Sequence, residues 1–185
     1  MNIVLIGMRG VGKSNISRRL SLLTKWPVLS TDLLIEYESG GRSIQQIMAD
    51  NGGDWQAFRE IEFQVVQKIS RFDQVIVDCG GGVIVDLAED GSEIYSERKV
   101  ELLKENGQIV WLKDDIDYLA AKVKGDQRRP TLDETKSAEE LMRRRLPFYE
   151  QAADLVLDIE GRGRRKSSRK LYEKIFQESP PDVSI

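Results

Sequence analysis

Eight consecutive residues, Gly7-Met8-Arg9-Gly10-Val11-Gly12-Lys13-Ser14, carry the types and spacing of a phosphate-binding loop. Glycines let the backbone fold closely enough for its N–H groups to converge on phosphate oxygens. Lys13 is placed to reach terminal phosphates, and the Ser14 hydroxyl to meet Mg²⁺. Arg9, Gly10, Val11, Gly12, Lys13, Ser14 and Asn15 are the expected nucleotide contacts. Two carboxylates follow. Asp32 closes Ser30-Thr31-Asp32, and reads either as a helix cap or as a group facing a ligand. Asp78 precedes Cys79 and the triplet Gly80-Gly81-Gly82. It reads either as a solvated strand end or as the second acidic motif of phosphate-loop enzymes, which reaches Mg²⁺ directly or through water. The triplet is either a flexible turn or a backbone surface that a ligand approaches closely. Arginines come in three separated groups: Arg59, Arg128-Arg129 and Arg143-Arg144-Arg145. Their forks suit phosphates and carboxylates. The chain has no histidine. Catalysis must therefore run on carboxylates, Lys, Arg, backbone amides and a bound metal, and phosphoryl transfer needs only these.

The elements that must position these residues are legible from apolar runs. Ile3–Ile6, Trp26–Ser30, Gln74–Asp78, Gln108–Leu112 and Asp154–Asp158 read as strands. Helical spacing lies between them. It covers Ile16–Leu23, a segment from Thr31 or Asp32 to Gly40, Ser43–Met48, Trp55–Ile69, Glu97–Asn106, Asp115–Lys124, Ala138–Ala153 and Ser167–Gln177. Pro147 is expected to kink or end its helix. Residues Val83 to Glu97 read as an acidic, irregular stretch, and Gly125–Lys136 as a charged loop with the character of a mobile lid. Alternation of strand and helix predicts an α/β, three-layer fold with a five-stranded parallel sheet. In such sheets ligands sit beyond the carboxyl ends of the strands, where the phosphate loop, Ser30-Thr31-Asp32 and Asp78 with the glycine triplet are found.

Composition narrows the classes. At 185 residues, with 40% hydrophobic and 32% charged residues, the chain reads as one globular domain over 1–178 with a disordered tail at 179–185. A net charge of −3 argues against a nucleic-acid partner, although Arg162, Arg164, Arg165, Lys166, Arg169 and Lys170 form a basic run. No apolar run is long enough to span a bilayer. Met1 leads straight into a strand, not a signal peptide, and the lone Cys79 suits a reducing compartment. The expected location is the cytoplasm.

The motifs taken together resemble the shikimate kinase family over roughly Ile3 to Asp158. The phosphate loop is common to many families. More specific are Gly41-Arg42-Ser43-Ile44, Phe58-Arg59 with Glu62, the glycine triplet, Arg129-Pro130 and Arg145-x-Pro147-x-Tyr149. The resemblance implies a substrate-binding helical segment at about 32–62, a lid at about 125–136, ATP as co-substrate and Mg²⁺ as cofactor. It implies transfer of phosphate from ATP to the 3-hydroxyl of shikimate, on the way to aromatic amino acids, by a monomeric enzyme. Asp32 then resembles the residue that holds the attacking hydroxyl, and Lys13 and Arg129 those that meet the transferring phosphate. Arg59 and Arg145 resemble the substrate-carboxylate clamps, with Gly80, Gly81 and Gly82 as the cradle beside the substrate. Arg162 falls near the adenine ring.

Three departures stand out. Ser30 occupies the place of a family aspartate that helps hold Mg²⁺, and Asp78 is expected to supply the lost carboxylate through water. Asn15 replaces a common threonine. Residues 86–98 are longer than usual and read as a surface insertion. Two other readings remain at this point: a gluconate-type kinase using the same core, and a nucleotide-binding domain without catalysis. The second sits poorly with Lys13, Asp32, Arg59, Arg129 and Arg145 all being present.

Overall fold

The computed structural model describes residues 1–124 and 137–181. The expected lid, with Arg128 and Arg129, and residues 182–185 of the expected tail lie outside the described residues.

Five strands form one parallel sheet. They are β1 (Asn2–Ile6), β2 (Val28–Ser30), β3 (Ile76–Asp78), β6 (Gly107–Lys113) and β7 (Leu155–Asp158), in the order β2-β3-β1-β6-β7. The central strand β1 is buried along its whole length, as its unbroken apolar run requires of a strand covered on both faces. Helices flank the sheet. They are α1 (Lys13–Thr24), α2 (Thr31–Glu38), α3 (Ile44–Asp50), α4 (Trp55–Ile69), α5 (Glu97–Glu105), α6 (Ile116–Val123), α7 (Ala138–Ala152) and α8 (Arg164–Phe176). Their apolar stripes, such as Phe58, Val65, Val66 and Ile69 on α4, close the core against the strands. The α/β, five-stranded parallel architecture expected from sequence is present.

The local differences have physical reasons. The stretch after the glycine triplet is not irregular throughout. It contains an antiparallel hairpin of β4 (Val85–Leu87) and β5 (Glu93–Tyr95), with Leu87 opposite Glu93. Strands of three residues are too short to display a period-two pattern. The cap of α2 is neither Thr31 nor Asp32 but Ser30, whose hydroxyl accepts from Leu33 N at 3.4 Å. Pro147 lies inside α7, which continues to Ala152, so it does not end the helix. Helix α8 begins at Arg164, ahead of the expected Ser167.

Candidate active site

The phosphate loop joins β1 to α1. Gly10 and Gly12 hold φ of +82° and +100°, a region closed to most side chains, so glycine is required there. Val11 is buried and pins the loop to the core. Lys13 Nζ donates to Gly7 O at 2.7 Å and Met8 O at 3.2 Å, which holds the ammonium across the loop. No side chain caps α1 and no acidic residue sits in its first turn. Its first N–H groups therefore suit an anion. Arg164 of the basic run reaches this loop. A Cβ on Gly12 would sit 2.7 Å from Arg164 Nε. Arg162 Nη1 instead donates to Asp158 O at 2.9 Å. Asn15 lies in the first turn of α1, exposed.

The acidic residues meet at the ends of β2 and β3. Ser30 and Asp78 are register partners across the two strands. Asp78 thus stands beside the position where the carboxylate of Ser30's family counterpart would be. Thr31 Oγ1 accepts from Gly80 N at 2.7 Å, tying the start of α2 to the triplet. Asp32 follows in the first turn of α2, where a carboxylate is favoured by the helix dipole. Burial pushes the Cys79 thiol well up, Asp78 adds to this and Lys13 opposes it, with Glu62 and Asp32 contributing further. One buried thiol thus feels Lys13, Asp32, Glu62 and Asp78 together.

The glycine triplet is where the parts converge. None of its three residues has positive φ, so at Gly80 and Gly82 it is close approach of side chains and not backbone freedom that crowds a Cβ, whereas Gly81 has ordinary contact distances. A Cβ on Gly80 would run into Asp32 Oδ1. One on Gly81 would sit 3.5 Å from Arg9 N of the phosphate loop. One on Gly82 would sit 2.7 Å from both Nη1 and Nη2 of Arg59. Gly81 O accepts from Tyr149 Oη at 2.6 Å and from Arg145 Nη1 at 3.4 Å. The segment thereby brings together the phosphate loop, Asp32, Arg59 and Arg145, residues spread along most of the sequence.

Both arginines are buried among ions. Arg59 is 3% exposed, donates from Nη1 to Glu62 Oε2 at 2.9 Å, and lies over the rings of Trp55 and Phe58 at 5.5 and 5.7 Å. Its Nε has no hydrogen-bond partner among the described residues. Burial would raise the Glu62 carboxyl, but Lys99 and Arg59 outweigh it and hold it below its ordinary value. Arg145 is paired with Glu93 of β5, with Nε donating at 3.1 Å to each carboxylate oxygen and Nη2 to Oε1. Burial would likewise raise Glu93, and Arg145 with Arg144 holds it down. Sequence reading missed Glu93, Asp86 and Lys99. A signal was present for Lys99, which shares the apolar side of α5 with Val100 and Leu103.

Comparison with known proteins decides the family. The shikimate kinase family model matches residues 9–177. A shikimate kinase of Leptospira biflexa serovar Patoc is 43% identical over 175 residues, covering 95% of this chain and 96% of the relative. The chain belongs to the shikimate kinase family. A shikimate kinase of Leptospira borgpetersenii serovar Hardjo-bovis is also 43% identical, over 159 residues, covering 86% of this chain and 89% of its own. Among solved structures, a shikimate kinase from Acinetobacter baumannii in complex with shikimate aligns with a TM-score of 0.79 at 25% identity. That alignment covers 95% of this chain and 93% of the other. A gluconokinase from Sinorhizobium meliloti aligns at a TM-score of 0.54 and 13% identity, which is a likeness of fold alone. Shikimate kinase membership makes the chain an ATP-dependent phosphotransferase with an alcohol acceptor, and sets aside the gluconate-type and non-catalytic readings.

Proposed function

We propose that this chain transfers the terminal phosphoryl group of ATP to the 3-hydroxyl of shikimate, using the residues gathered around the glycine triplet. The observation that carries this reading is the triplet itself, which sets the phosphate loop, Asp32, Arg59 and Arg145 against one short backbone segment. In the reaction the acceptor oxygen bonds the γ-phosphorus while its bond to the β-bridging oxygen breaks, and ADP leaves. Asp32 holds the acceptor hydroxyl and takes up its proton. Lys13 and the loop N–H groups offset the charge carried by the phosphate oxygens. Arg59 and Arg145 grip the acceptor carboxylate, and the unpartnered Nε of Arg59 suits a ligand oxygen. Gly80, Gly81 and Gly82 are the surface on which the acceptor lies. Arg129, outside the described residues, is assigned to the transferring phosphate, and Arg9, Arg164 and Asn15 to the nucleotide. The single buried Cys79 suits the cytoplasm.

Mg²⁺ fits the donors at this end of the sheet, which are the Ser14 hydroxyl and the Asp78 carboxylate, both hard oxygen ligands. When bound, the ion would supply charge neutralisation at the phosphate oxygens. Among the described residues no three acidic or thiol groups form a metal cluster on their own, which suits an ion carried with the nucleotide. Asp78 stands beside Ser30 in the sheet, and takes over the role of the missing aspartate. Replacing Asp78→Asn is expected to raise the Mg²⁺ concentration for half-maximal rate by about tenfold. An unchanged Mg²⁺ dependence contradicts that role.

The test of the reaction is ADP formation from ATP with and without shikimate, and with gluconate in its place. Stimulation by shikimate alone is expected. Equal stimulation by gluconate, or none by either with ATP binding intact, contradicts the reading.

A further inference from the structure

The β4–β5 hairpin sends one carboxylate from each strand toward the two clamp arginines. We infer that Glu93 and Asp86 are positioning residues, which aim Arg145 and Arg59 and thereby set how tightly the acceptor carboxylate is held. This rests on the assignment of those arginines to the acceptor, and extends it to a hairpin that touches neither the phosphate loop nor Asp32 by any contact described above.

Glu93 acts directly. Its side chain has no solvent exposure, and it takes the Nε–Nη2 edge of Arg145. Gly81 O meets Nη1 from another side. The guanidinium plane is fixed by these two contacts. Arg144 also donates to Glu93, at 3.2 Å from Nε and 3.0 Å from Nη2, so the carboxylate is itself held from two sides.

Asp86 acts through a relay. It accepts from Ser96 Oγ at 2.6 Å and from Arg98 at 2.9 and 3.2 Å, and pairs with Lys99 Nζ at 3.2 Å. Lys99 is fully buried and also donates to Val85 O and Glu62 Oε2, each at 2.7 Å. Two of the ammonium hydrogens are thereby used, and Asp86 balances the same charge as an ion pair. Glu62 Oε2 is the oxygen that accepts from Arg59 Nη1. Without Asp86, the whole charge of Lys99 would fall on Glu62 and compete with Arg59 for it. Buried ion pairs of this kind add little stability over apolar packing. Their concentration on the two clamps is accounted for by aim.

The experiment is steady-state kinetics on Glu93→Gln, Asp86→Asn, Arg145→Lys and the double variant Glu93→Gln with Arg145→Lys. For Glu93→Gln, KM for shikimate is expected to rise about tenfold, with kcat and KM for ATP within about twofold. For Asp86→Asn the same pattern is expected at about threefold. A normal KM for ATP shows that each variant is folded. In the Arg145→Lys background, Glu93→Gln is expected to add nothing, because the two act as a unit. If Arg145→Lys raises KM for shikimate and Glu93→Gln does not, the positioning role is overturned and the clamp assignment stands. If Arg145→Lys leaves KM unchanged, the clamp assignment itself fails. A fall in KM on Glu93→Gln overturns the inference too, by showing that Glu93 competes with the acceptor.

Discussion

The phosphate side of the site is built from backbone, whereas the acceptor side is built from buried ions. At the phosphate loop, Gly12, the start of α1 and Lys13 lie within a few residues of one another, and N–H groups and one ammonium are what the loop offers an anion. On the acceptor side, Arg59 depends on Glu62, Glu62 on Lys99, and Lys99 on Asp86, while Arg145 depends on Glu93, 52 positions away. A backbone site is specified locally and tolerates change around it. A side-chain site is only as well aimed as its partners. The triplet is the seam, with Gly81 facing the loop and Gly82 facing Arg59.

That division can be broken in several places. Lys13→Ala is expected to give the largest effect, a fall in kcat of about 10³-fold, and Asp32→Asn one of about 10²-fold, both read from initial rates of ADP formation. Either change leaving kcat intact would remove its residue from the chemistry. Two alanine substitutions sharpen the comparison. Gly12→Ala forces a Cβ onto Arg164 at positive φ, and should raise KM for ATP by about tenfold or more with KM for shikimate little changed. Gly82→Ala forces one onto the Arg59 fork and should do the reverse. Equal effects on both substrates from either variant would show that the two sides are not separable.

A smaller effect concerns acid stability. Burial would raise the Asp86 carboxyl, but Arg98, Lys99 and Ser96 outweigh it and hold it at about 2, against an ordinary 3.8. A depressed carboxyl contributes stability that is present above its unfolded value and is lost as pH falls through its folded value. Because its partner Arg98 is open to water, Asp86 should contribute only on the order of 1 kcal/mol at neutral pH, lost between about pH 4 and 2. Glu62 and Glu93, also depressed, act in the same direction. Urea unfolding at pH 7 and 3 checks this. The Asp86→Asn variant should be less stable at pH 7 and lose less on acidification. A loss as large as in the parent chain would show that Asp86 is not among the groups responsible.

How far each side could be read from sequence follows from the same contrast. The loop, its strand and its helix are contiguous, so Gly7 to Ser14 declared themselves. Asp32, Arg59, the triplet and Arg145 stand out in the sequence through short patterns such as Phe58-Arg59 with Glu62 and Arg145-x-Pro147-x-Tyr149. The hairpin was not. Glu89, Asp90, Gly91, Ser92 and Glu93 look like solvated loop, and nothing local distinguishes Glu93 from its exposed neighbours Glu89 and Asp90. Its burial depends on two arginines 51 and 52 positions later. Ser30 was read as a loss at the metal site, but it also caps α2, a role open to Ser, Thr and Asp alike at that turn. Pro147 is expected to kink or end its helix, yet α7 continues to Ala152, because a helix packed in a core can continue past the carbonyl that a proline leaves unpaired.

The most direct test of the acceptor side is to offer shikimate and its methyl ester as alternative acceptors at fixed ATP and Mg²⁺. The ester keeps every hydroxyl and replaces the charged carboxylate that Arg59 and Arg145 are held to grip with a neutral group one methyl larger. The account predicts a fall in kcat/KM of at least about 10²-fold for the ester, since the buried arginines would be left without their carboxylate. Comparable kcat/KM values for acid and ester would contradict it.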